Sequence, residues 1–397
     1  MKKKKSVGMI LVLVALVGVG MNFHHPVTPT LFTELGLPSR IFGTSFAIMC
    51  FTTFLTSVFW GEISDRKGRI KTFMIGCIAY GISQFLLGFS TTELQVLLAR
   101  ALSGAFAGAT AVPTMAYIID ISTEENRTKN LSMYTAISLS TLAVGYLIGG
   151  FLGTVNCRLA LNFQAVFMIA TGVFAWLTVE DYVTEKSDIS MGKLLVKVNP
   201  VSSFINARPV MNRIMILFLI MTFMTAFASS AYDNAFNYYL KDQLNFIPAY
   251  NGILKGVIGL VGFISNFTIN MWILKKEDIC RSLAVIVLLC GISASAAVMS
   301  GTLVLFIIFN LLFFSVNAIY QPIVQSLSVY QQDPSYTGII SGLFNGIKSI
   351  GNVFGSLVAG FIYGYGFTLP FILAAALFLL SEIVILMYRS AVRKAGS

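Results

Sequence analysis

The 397-residue chain is 56% hydrophobic and only 11% charged, against roughly 45–50% apolar and ~25% charged residues in an ordinary soluble domain. That balance excludes most soluble folds and leaves no room for a sizeable domain outside a membrane, because about 20 apolar residues make one transmembrane helix. The net charge of +10 must then be explained by where the basic residues stand, and the five cysteines, scattered without paired spacing, indicate neither a disulfide framework nor a zinc site.

Apolar runs bounded by charged or turn residues predict an all-α membrane protein of twelve helices, at 6–32, 42–61, 71–90, 94–120, 130–155, 158–180, 213–240, 250–273, 279–299, 302–330, 337–364 and 368–390. The first run follows KKKK and resembles the start of a secretory signal. It continues through MNFHHPVTPTLF without a small-residue cleavage site, so a retained first helix is expected, loosened at its end by Pro26 and Pro29. The thinnest separations are at Gly301 and at Gly364 to Gly366.

With the N-terminus placed in the cytoplasm, twenty-one of the 27 basic residues fall inside, in clusters such as Lys2 to Lys5, Arg66 to Lys71 and Lys275 to Arg281. Three fall outside (Arg40, Arg158, Lys241) and three within helices (Arg100, Lys255, Lys348). This is the positive-inside asymmetry, and it accounts for the basic balance without nucleic acid. Both termini are expected in the cytoplasm, with the chain a multi-pass protein of the plasma membrane. The polar stretch Asp181 to Asn212 divides the chain into a six-helix half at 1–180, a cytoplasmic linker at 181–212 and a second half at 213–397. Within the linker, MGKLLVKVNPVSSFINARPV is partly amphipathic, suited to the inner membrane surface or to a plain solvated link.

A shift of about 209–210 residues sets Gly145, Gly150 and Phe151 beside Gly355, Gly360 and Phe361, Gly43 beside Gly252, and His24 beside Asp233. Two such halves with a site near the membrane midplane are the architecture of alternating-access transporters.

Between the second and third helices stands GEISDRKGRIK. It resembles the G-x-L-A-D-R-x-G-R-R/K signature of the major facilitator superfamily, matched at Gly61, Asp65, Arg66, Gly68, Arg69 and Lys71. The resemblance implies a twelve-helix fold in two pseudo-symmetric six-helix bundles. It also implies an inner gate in which Asp65 faces the start of helix eleven near Ser335 to Gly338 and Arg69 pairs with Asp120. RALSGAFAG in helix four resembles the second motif of that family through Arg100, Gly104 and Gly108, and in its drug:proton antiporters this arginine is implicated in proton coupling. A buried guanidinium is costly enough to require a partner or a wet cavity. TLAVGYLIGGFLG resembles the antiporter motif of helix five at Gly145, Gly149 and Gly150, but Tyr146 replaces the proline and Thr141 the first glycine. Small residues at this spacing also serve helix packing alone.

Asp233, with Tyr232, Tyr238, Tyr239 and Phe236 around it, resembles the acid and aromatic wall in helix seven of small bacterial multidrug pumps. A carboxylate there exchanges a proton for a cation, and aromatic faces hold apolar cations without strict geometry. Histidine as a residue type titrates near neutral pH, which makes His24 a candidate relay. Lys255, Lys348 and Glu382 are further intramembrane charges; the lysines suit an anionic substrate, and Glu382 is a candidate counter-ion for one of them.

The expected function, by the resemblance, is proton-driven export of amphipathic drugs or metabolites from a bacterial cell, with Asp233, Arg100 and His24 in coupling and Tyr232, Phe236, Lys255, Lys348 and Glu382 at the substrate. The alternative is uptake or flipping of an anionic amphiphile. Two adjacent histidines and the lack of HExxH, GxSxG or GxxxxGK[ST] argue against an enzyme, and the lack of a glycine-rich filter argues against a channel. The expected partners are a small molecule, protons and the lipid bilayer, with no cofactor or metal, and the expected state is a monomer.

Overall fold

In a computed structural model the chain is described over residues 6–183, 202–273, 278–327 and 336–396. It is helical throughout: α1 (Val7–Met21), α2 (His24–Glu34), α3 (Ser39–Lys67), α4 (Arg69–Gly88), α5 (Glu93–Ile121), α6 (Glu124–Val155), α7 (Cys157–Thr178), α8 (Arg213–Asp242), α9 (Pro248–Ser265), α10 (Ile279–Met299), α11 (Leu303–Leu327), α12 (Thr337–Tyr363) and α13 (Leu369–Gly396). Eleven spans are long and apolar enough to cross a membrane among the described residues, with α1 and α2 counted together as Val7–Glu34. The remaining long helix, α12, has 27 residues and is rich in Gly, Ser and Asn, which lowers its hydropathy.

The first predicted helix is thus interrupted at Asn22 and Phe23. Pro26 sits in the first turn of α2, where its missing N–H removes no helical bond, whereas Pro29 lies inside the helix and lacks the N–H of a helical bond. Past Ser265, α9 runs into a π-helical turn at Asn266–Asn270. The breaks at Gly301 and Gly364 to Gly366 separate α10 from α11 and α12 from α13. Most of the amphipathic linker segment lies outside the described residues; Ser202–Ile205 is one helical turn.

The chain forms two compact units. One comprises Met1–Ile41, Ile48–Pro200 and Leu240–Gly259; the other comprises Phe42–Ala47, Val201–Tyr239 and Leu260–Ser397. The first is built around Ile10, Leu13, Phe73, Cys77, Tyr80, Tyr117 and Met168, contributed by α1, α4, α5 and α7. The second is built around aromatic rings: Tyr232 lies 3.9 Å from Phe313 and 5.0 Å from Phe371, centroid to centroid.

Glycines decide how closely the backbones approach. In the first unit a Cβ on Gly150 would meet Pro248 O at 2.7 Å and Gly252 Cα at 2.9 Å. In the second, a Cβ on Gly43 would meet Gly360 Cα at 2.7 Å. The two pairs are related by the sequence repeat, so the same glycine-to-glycine crossing is made twice.

Candidate functional site

The loop between α3 and α4 is a single residue, Gly68, at φ 112° and ψ 140°, a conformation that L side chains rarely adopt. That tight turn carries Arg69 directly into the first position of α4 and folds its side chain back among acids. Arg69 pairs with Asp65 one helical turn before it. Its Nε donates to Asp120 Oδ2 at 3.0 Å, and Nη1 donates to Ser64 Oγ at 2.7 Å. The guanidinium side chain is 7% exposed and Asp120 18%, so this pair is largely withdrawn from water, while Asp65 stays more open at 38%. Arg66 points away, to Glu62 at 3.1 Å. Of Ser335 to Gly338, where Asp65 was expected to face a helix start, Ser335 lies outside the described residues, and α12 begins at Thr337.

One component of this cluster was assigned to the linker by the sequence reading. Directly after α7, Glu180 to Tyr182 lie against the start of α4. The carboxylate of Asp181 accepts from Ile70 N at 2.8 Å, and Arg69 N donates to Tyr182 O at 2.9 Å. Tyr117 Oη donates to Glu180 O at 2.8 Å. A Cβ on Gly68 would collide with the Asp181 carboxyl carbon at 2.6 Å, so the glycine makes room for the acid as well as for the turn. An acid three residues past the end of a span, Thr178, was the available signal.

Arg100 is almost fully buried in α5. Its Nη2 donates to Thr28 Oγ1 at 2.6 Å, and Thr28 donates in turn to His24 O at 2.7 Å. Among the described residues Arg100 Nε has no hydrogen-bond partner. His24 Nδ1 lies 3.5 Å from Gln164 Nε2, which also holds Gly20 O at 2.7 Å where the helix is interrupted, and the His24 ring stacks on His25 at 4.3 Å. Gly145 and Gly149 face this interruption: their Cβ atoms would meet Asn22 Cβ at 2.7 Å and Phe23 Cα at 2.6 Å.

In the second unit Asp233 lies partly exposed on α8, one turn past Ser229. Tyr232 and Phe236 are sealed in the aromatic core; Tyr232 Oη donates to Asn310 Oδ1 at 2.9 Å, and Phe236 packs 5.1 Å from Phe314. Lys255, which belongs to the first unit, is buried on α9. Lys348 Nζ donates to Gln321 Oε1 at 3.0 Å, and Glu382 Oε2 is buried without a hydrogen-bond partner among the described residues. Among the described residues no ion pair joins Glu382 to Lys348; the lysine reaches across to an amide on α11. The intramembrane amides Gln164, Asn310, Asn317 and Gln321 were missed because only formal charges were weighed, although an amide in an apolar helix needs a partner for the same reason.

The family model described as Major Facilitator Superfamily matches residues 10–355. The chain belongs to the major facilitator superfamily. It is similar to "Multidrug resistance protein 1" of Bacillus subtilis, 26% identical over 388 residues and covering 94% of each chain. It is similar also to "Quinolone resistance protein NorA" of Staphylococcus aureus, 23% identical over 401 residues and covering 96% of each. Among solved structures, a bacterial homolog of the human lysosomal transporter Spinster, inward-facing and unoccupied, has a TM-score of 0.77 at 13% identity and covers 98% of both chains. The nucleoside transporter NupG has a TM-score of 0.74 at 14% identity, covering 96% of this chain and all of that one. These chains share the fold. The protein is thus a multi-pass transporter of the cell membrane that acts on a small molecule, and not an enzyme.

Proposed function

We propose that this transporter exports amphipathic drugs or metabolites and is driven by protons. The observation that carries the reading is the end-to-end match, over 94% and 96% of their lengths, to relatives named for multidrug and quinolone resistance. Such a match extends well beyond the inner-loop signature that the whole superfamily shares.

In this reading Asp65, Arg69 and Asp120 form the inner gate, which opens and closes as the two six-helix halves, 1–180 and 213–397, alternate. Asp233 is the acid that exchanges a proton, with the buried Arg100 and His24 in the coupling path. Both termini lie in the cytoplasm and the protein works as a monomer; labelling from one side only, with cysteines at the exposed Thr91 and Glu125, tests the orientation.

A second reading, uptake or flipping of an anionic amphiphile, is favoured by two deep lysines, Lys255 and Lys348. Substrate-induced collapse of a pH gradient in inverted vesicles separates the two. Proton release with amphiphile entry supports export, and a response to anions in the opposite orientation only supports the second reading. Asp233→Asn should abolish gradient-driven accumulation while sparing downhill movement; a variant that still concentrates cargo with normal proton exchange removes Asp233 from the coupling role.

A further inference from the structure

The second unit contains a strip of polar side chains shared by three helices. Asn317 on α11 and Ser229 on α8 are hydrogen-bonded at 3.0 Å. One turn along α11, Gln321 Oε1 accepts from Lys348 Nζ of α12 at 3.0 Å. One turn past Lys348, the Asn352 carbonyl accepts from Ser230 Oγ at 2.9 Å, which ties the strip back to α8. Pro322 follows Gln321 inside α11 and lacks the N–H that would bond Ala318 O. Asn266 Nδ2 takes that carbonyl instead at 3.1 Å, so the irregular backbone beside Gln321 is itself held in place.

An ammonium has three donors and no acceptor. Among the described residues Lys348 spends one donor on a neutral amide and makes no ion pair. Glu382 of the same unit is not bridged to it among the described residues. Lys348 is the twelfth residue of a 27-residue helix, about 16 Å from its start, too deep for its stem to carry the charge out to the helix end. A cation at such depth is expensive unless water or an anion meets it. Lys348 and Gln321 are each partly exposed, so the pair borders accessible space and is not sealed in the core. A carboxylate, with two oxygens that only accept, matches the two donors left over.

Resting on the export reading, we infer that Lys348 and Gln321 form the subsite that receives the carboxylate of the transported molecule. The cargo class is then an amphipath with an anionic group, an acid or a zwitterion, and a permanent cation without such a group is a poorer substrate.

The test uses the full-length protein in nanodiscs and three probes of one shape: pyrenebutyrate, its methyl ester and a pyrenebutyl trimethylammonium salt. The acid should bind about tenfold more tightly than the ester, the worth of one hydrogen bond to a charged group. Lys348→Gln should erase about that much of the acid-to-ester preference, Lys348→Arg should keep most of it, and Gln321→Leu should reduce it partly. Equal binding of acid and ester by the parent would overturn the subsite, as would an equal loss of both probes in Lys348→Gln and Lys348→Arg alike. The same probes are then followed into inverted vesicles with a proton gradient. Acid preference in binding without gradient-driven entry would refute export and leave the subsite standing. Entry of the ammonium probe with no acid preference would refute the subsite and leave export standing.

Discussion

Asp181→Ala removes a carboxylate oxygen that accepts from two backbone N–H groups, those of Ile70 at 2.8 Å and Tyr182 at 2.9 Å. The first belongs to the opening turn of α4, whose N–H groups have no acceptor within the helix. Losing a helix cap costs about 0.5–2 kcal/mol, and a hydrogen bond to a charged group is worth about 1.5–3 kcal/mol. The site is only partly buried and water recovers some of the loss, so we expect about 2 kcal/mol, or about 30-fold in the local opening equilibrium. Asp181→Asn keeps an acceptor and gives up only the charge assistance, so about 1 kcal/mol and about fivefold are expected. Hydrogen exchange of the segment 66–74 reads this directly, with a segment of α10 as reference. An unchanged rate in the alanine variant would refute the reasoning, as would an asparagine variant as fast as the alanine one. Acceleration of the reference by the same factor would mean that the whole chain, and not the strap after α7, had loosened.

Arg69→Ala leaves Asp65 and Asp120 facing each other without their shared cation, whereas Asp120→Asn leaves Arg69 still bound to Asp65 and Ser64, so transport should fall further in the first than in the second with protein levels in the membrane maintained. Gly150→Val drives a side chain into the Pro248 carbonyl and the Gly252 backbone, which cannot yield as a side chain would, and should lower the thermal midpoint by the equivalent of about 1–3 kcal/mol. Asp278 caps α10 and accepts from Arg389 and Arg393; although burial pushes its carboxyl upward, the Arg389 hydrogen bond, the Arg281 N–H and the two guanidinium charges outweigh that and hold it below the usual carboxylate range. Its contribution to stability is therefore complete above the ordinary carboxylate range and is lost as the pH falls through the lowered value, so Asp278→Asn should flatten the acid limb of thermal midpoint against pH.

Hydropathy located the spans because the thickness of the hydrocarbon layer is a one-dimensional constraint that a run of apolar residues either meets or does not. The inner loop was equally legible: Gly68 and its charged neighbours form a turn whose requirements lie within eleven consecutive residues, and the Arg69 to Asp120 pairing expected from the family resemblance is present. The repeat showed that Gly43 corresponds to Gly252 and Gly150 to Gly360, yet it gave no hint that Gly43 packs on Gly360 and Gly150 on Gly252. Nor did the sequence place Asp181 against Ile70, Gln164 on the carbonyl beside the interrupted first helix, or Gln321 on Lys348 with Glu382 left out. In a membrane the lipid-facing and protein-facing sides of a helix are equally apolar, so amphipathic periodicity does not mark the packed face as it does in water. Which polar groups meet is then settled by small residues that let backbones approach and by the rotation of helices far apart in sequence, and only the tertiary structure decided those.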